Sequence, residues 1–95
     1  MAQAQEENRR SPRRATWTPA RILWLADGQS YTIRARVRDH SGDGCAVVTF
    51  AQLPAIGAVA IPALGLCERF RTVHSRRAGL VQITGLEFLA TLPSD

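Results

Sequence analysis

The 95-residue chain contains no lysine at all: its twelve basic residues are all arginine. It also has only two cysteines, one methionine and six aromatic side chains, by the counts of two Trp, one Tyr and three Phe. A disulfide-stapled scaffold is excluded by so few thiols, and no CxxC or HxxxH pair seeds a metal site from Cys45, Cys67, His40 and His74. No glycine-rich phosphate loop precedes a helix, and no spaced carboxylate pair stands among catalytic-looking polar residues. Asp39, His40 and Ser41 supply the residue types of a hydrolase triad. They are consecutive, however, so their side chains point apart and cannot form a relay. An enzyme is not expected. The start, MAQAQEENRR, has no apolar core of a secretory signal, and reduced thiols packed as small core residues in a cytoplasmic protein are the expectation. From Gly44 to Cys67 no residue is formally charged over 24 positions, long enough to raise a membrane span. Pro54, Pro62, Gly57, Gly65 and Gln52 break that stretch, which reads as strands and loops.

What is present is a chain for one domain, 45% hydrophobic and 21% charged, too small for a deep catalytic cavity and better suited to binding. The formal charge of +4 and a pI near 10.5 favour acidic partners. The planar arginine fork matches phosphate and the guanine edge; a GC-rich genome would also raise Arg with Ala, Gly and Pro. Position therefore matters more than composition, and eight of the twelve arginines lie between Arg9 and Arg38.

Residues 1–14 read as a flexible arginine-rich arm, 15–90 as the folded domain and 91–95 as a disordered tail. Thr16 to Leu25 is a strand closed by Asp27-Gly28, a dipeptide suited to a tight hairpin turn. Tyr31 to Arg38 alternates: Tyr31, Ile33, Ala35 and Val37 form a core face, and Thr32, Arg34, Arg36 and Arg38 a wet cationic one. After the turn from Asp39 to Gly44 come strands at Cys45–Phe50, Ala58–Ile61, Leu66–Val73 and Leu80–Ile83. Leu86–Leu89 extends the last one across a bulge at Gly85, and Ser75–Gly79 forms a turn. With six short strands and no helical stripe, the chain is predicted to be all-β, a small antiparallel barrel. Trp17 and Trp24 are assigned to the core, His40 and His74 to the surface.

Two groups of residues remain. Arg9-Arg10-Ser11-Pro12-Arg13-Arg14 contains RxxxR, and after 25 intervening residues comes Asp39-His40-Ser41-Gly42-Asp43-Gly44, which fits DxSxxG. In this order and at this separation they resemble the two motifs of the PilZ family of cyclic di-GMP receptors. Arg9 and Arg13 match the first motif, with Pro12 before the second arginine; Arg10 and Arg14 form an overlapping frame. Asp39, Ser41 and Gly44 match the second, and Gly85-Leu86-Glu87-Phe88 looks like the family's final strand. The resemblance implies a six-stranded split barrel that binds cyclic di-GMP in bacterial second-messenger signalling, uses no cofactor, and presents the ordered arm to a partner protein that the sequence does not identify. The helix that often follows the family's barrel is not expected within Ala90 to Asp95, which are too few for one.

The chemistry fits without the name. Arg9 and Arg13, with Arg10 and Arg14 as additional candidates, could fork onto a phosphate or the O6/N7 edge of guanine and stack on the base. Asp39 accepts from the N–H groups on guanine's other edge, and Ser41 donates or accepts. Gly44, and Gly42 beside it, would provide positive φ and close backbone approach to the ligand. Two alternatives stand beside this: a basic barrel binding single-stranded nucleic acid through Arg34, Arg36 and Arg38, nucleic acid not being the expected partner, and a PilZ-like interaction module that binds no ligand, against which the intact motif pair counts.

Overall fold

The computed structural model describes residues 14–89, with side chains from Trp17 onward. The expected arm and tail therefore lie outside the described residues, except Arg14, which opens the first strand. Six antiparallel strands, β1 (Arg14–Ala26), β2 (Gln29–His40), β3 (Gly44–Thr49), β4 (Ile56–Ile61), β5 (Leu66–Ala78) and β6 (Val81–Phe88), close into a barrel in the order β1-β2-β3-β6-β5-β4. No helix among the described residues is long and apolar enough to cross a membrane.

The β1–β2 hairpin follows from its turn. Asp27 and Gly28 both take positive φ, 54° and 78°, the mirror-image turn whose twist matches that of the strands it joins. The expected alternation in β2 holds: Ala35 and Val37 are buried, Ile33 packs on the core, and Arg34, Arg36 and Arg38 are exposed. Tyr31 lies at the end of the inner row, 40% exposed, with its ring stacked on Trp24 at a centroid separation of 5.4 Å. The core is the cluster of Ala20, Ile22, Ala35, Val37, Cys45, Val47, Leu53, Val59, Ile61, Phe70 and Leu86. Short aliphatic residues around one phenylalanine suit the narrow interior of a small closed barrel. The two buried threonines are satisfied: Thr49 Oγ1 donates to the Ala51 carbonyl, and Thr84 Oγ1 shares a hydrogen bond with Ser75 Oγ.

Several expectations need correction. The strand β5 runs on to Ala78, and its hairpin with β6 closes on Gly79 and Leu80 alone, because Ala78 pairs with Val81. The bulge expected at Gly85 lies across from it instead. Pairing skips Val73 of β5, between Thr72–Leu86 and His74–Gly85, while β6 runs unbroken. Trp17 is 58% exposed, at the irregularity where β1 pairing jumps from Ala15 to Thr18. Of the two thiols only Cys45 is in the core. Cys67 pairs outward with Ala60 and is exposed, since the inner row of β5 is taken by Leu66, Glu68 and Phe70.

Candidate functional site

A bulge decides which way the end of β2 faces. Val37 pairs with Val47 and Asp39 with Ala46, so Arg38 has no partner of its own on β3. An extra residue shifts every following side chain to the other face. Residues directly opposite share a face, so Asp39 looks outward with Ala46, and His40 sits on the inner side with Cys45. Without the bulge the Asp39 carboxylate would point into the barrel end. As built, its side chain is about one-fifth exposed and accepts a hydrogen bond from Arg38 Nε at 3.3 Å.

The turn that follows is tied down by its own atoms. The Ser41 N–H donates to the Gly44 carbonyl at 2.9 Å, and the Asp43 N–H donates to Ser41 Oγ at 3.2 Å. Serine earns its place locally by mimicking a backbone turn. The Asp43 carbonyl accepts from the Phe88 N–H at 2.8 Å, which anchors the turn to the last strand. Ser41 stays half-buried and Gly42 exposed.

Gly44 differs from expectation. Neither its φ nor that of Gly42 is in the left-handed region, and the close approach is made by β6: a Cβ at Gly44 would lie 2.1 Å from the Leu86 carbonyl oxygen. Glycine is required at this position to let β3 and β6 pack.

The first motif meets this turn through strand pairing. Arg14 pairs with His40 and Ala15 with Asp39, so the chain enters the barrel beside the end of β2. Arg9, Arg10 and Arg13 lie outside the described residues.

Pairing also reveals neighbours that sequence reasoning missed. On the outer face Asp39 adjoins Ala46, Ala46 pairs with Gly85, and Gly85 with His74. A Cβ at Gly85 would meet His74 Nε2 at 2.5 Å, so the imidazole lies over the glycine. Ala46 is thus flanked by a carboxylate and an imidazole. No signal in the sequence points to this row, because it depends on the bulges at Arg38 and Val73. Beside the turn, Gly44 pairs with Glu87, which is ion-paired to Arg71. No group of three or more metal-ligating side chains occurs among the described residues. A scan against protein-family models and a search of curated proteins returned no match.

Proposed function

We propose that the protein is a cyclic di-GMP receptor of the PilZ type, in which arginines of the N-terminal segment and the Asp39–Gly44 turn hold one ligand. The pairing of Arg14 with His40 and Ala15 with Asp39 carries this reading. Arg13 is one peptide bond from Arg14, and Arg9 four residues earlier, a span of at most roughly 14 Å. Side chains of both motifs can therefore come within reach of a single dinucleotide. The outward Asp39, the half-buried Ser41 beside it in the turn and the six-stranded barrel support it as well. The ligand's two phosphates and two guanines would take up the arginine forks, and Asp39 would accept from a guanine N–H edge. Gly44 belongs to the proposed site as the residue that sets the turn against β6.

The reading makes ligand binding the whole activity, with no chemistry performed on the nucleotide and an unidentified protein as the recipient of the signal. Calorimetric titration with cyclic di-GMP, with GTP and a short oligonucleotide as controls, tests it. Binding of the cyclic dinucleotide alone is expected, weakened at least about tenfold by Arg9→Ala or Arg13→Ala. Equal binding of any oligonucleotide would favour the nucleic-acid alternative. In the structure Arg38 Nε contacts Asp39 while its side chain stays 45% exposed.

A further inference from the structure

The strand β2 is covered along only half of one edge. Pairing with β3 spans Arg36 to His40, whereas pairing with β1 runs the full length from Gln29. The two-residue turn makes Ala26–Gln29 the first hydrogen-bonded pair of the hairpin, and such pairs then alternate. Trp24–Tyr31 and Ile22–Ile33 are therefore bonded across to β1. Ser30, Thr32 and Arg34 turn their N–H and C=O groups the other way. Pro19, opposite Arg36, agrees with this phase: its missing N–H falls where β1 makes no bond to β2. Three alternate residues thus offer an open strand edge.

The edge borders a slot. Where β3 stops at Thr49, a groove of about 620 Å³ opens, lined among others by Trp17, Arg34, Arg36, Thr49, Phe50 and Val81. Phe50 is 81% exposed and Trp17 58%. The charge along the slot is of one sign. Arg21 stands directly opposite Arg34 on the outer face, a like-charged pair that costs stability. Among the described residues Arg21, Arg34 and Arg36 meet no carboxylate, and Arg36 makes its hydrogen bond to the Trp17 carbonyl.

We propose that this edge receives an extended, acidic segment of a partner protein as an added strand, continuing the line of β3. Main-chain groups of the segment would bond to Ser30, Thr32 and Arg34. Its outward carboxylates would sit beside Arg34 and Arg36 and relieve the Arg21–Arg34 repulsion, and its alternate apolar side chains would enter the slot against Phe50. A second copy of the chain fits poorly, because arginines on the edge and a net charge of +4 set two copies against each other. Nucleic acid lacks the alternating donors and acceptors that the open edge requires. The inference does not rest on dinucleotide binding.

The test is selection from a random peptide library against the full chain, in the absence of nucleotide. The selected peptides are expected to carry Glu or Asp at alternate positions, and their affinity, read by fluorescence anisotropy, to fall at least about tenfold for Arg34→Glu. Thr32→Pro removes an outward N–H without touching the ladder to β1, and a similar loss is expected. N-methylation of the peptide at alternate residues should abolish binding to the unaltered protein, which keeps the proposal testable if Thr32→Pro does not fold. Failure to select any peptide, peptides without acidic enrichment, undiminished binding to Arg34→Glu, or N-methylated peptides that bind equally would overturn it. So would an oligothymidine that displaces the peptide, or a dimer that forms through this edge in sedimentation.

Discussion

One methyl group at position 44 would be placed 2.1 Å from the Leu86 carbonyl oxygen, against β6 backbone with no flexible side chain to yield. Gly44→Ala is therefore expected to cost about 3 kcal/mol or more by forcing β3 from β6, measured as a shift of the urea unfolding midpoint. Loss of ligand binding in that variant would report on folding, so Gly44 is the wrong residue with which to probe recognition. Ser41 is the better one. Its Oγ accepts one backbone N–H at 3.2 Å in a half-buried turn, so Ser41→Ala should lower stability by only about 1 kcal/mol. In the same variant cyclic di-GMP affinity, followed by calorimetry, should drop by about tenfold or more. Arg13→Lys should keep the charge and lose the fork, and so weaken binding where a purely electrostatic role would leave it unchanged.

The strands differ in how openly the sequence announces them. The β1–β2 hairpin is legible because Asp27-Gly28 permits only a tight mirror-image turn and because Ala35 and Val37 alternate with Arg34, Arg36 and Arg38. Gly28→Ala, at φ 78°, is expected to destabilise by about 1 kcal/mol with no steric contribution, since nothing lies within 4 Å of the added Cβ. The β5–β6 hairpin is less legible: Ser75, Arg76 and Arg77 are exposed in succession, so the two-residue period that marks a half-buried strand disappears. Polar residues then look like a loop. Neither bulge has a local signature, since skipping Arg38 or Val73 depends on how opposite strands align. That is why Asp39, Ser41 and Gly44 stand out as a linear motif, whereas their neighbours Ala46, Gly85 and His74 come together only through strand pairing. The outward pairing of Cys67 with Ala60 has a simple check. In the native state one thiol is expected to react promptly with a maleimide, and Cys67→Ser should abolish that reaction because Cys45 is fully buried.

Across the whole molecule, one phenylalanine, Phe70, holds together a core otherwise made largely of small and medium aliphatic residues. Phe70→Ala is expected to cost about 3–5 kcal/mol, a large share of the stability of so small a domain. The barrel sets two features on different parts of its wall. The chain entry and the Asp39–Gly44 turn meet at one end of β2, and the open edge from Ser30 to Arg34 lies toward its other end. The proposed ligand site and the proposed docking edge are thus joined by a single continuous strand, so binding at one end has a short covalent and hydrogen-bonded path to the other. The central claim, that both motifs hold one molecule, is most directly tested by a nuclear magnetic resonance titration with cyclic di-GMP. The Nε–H signals of Arg9 and Arg13 and the backbone amide signals of Ser41 and Asp43 are expected to shift together along one binding curve. Shifts confined to the arginines, or to neither group, would contradict the account.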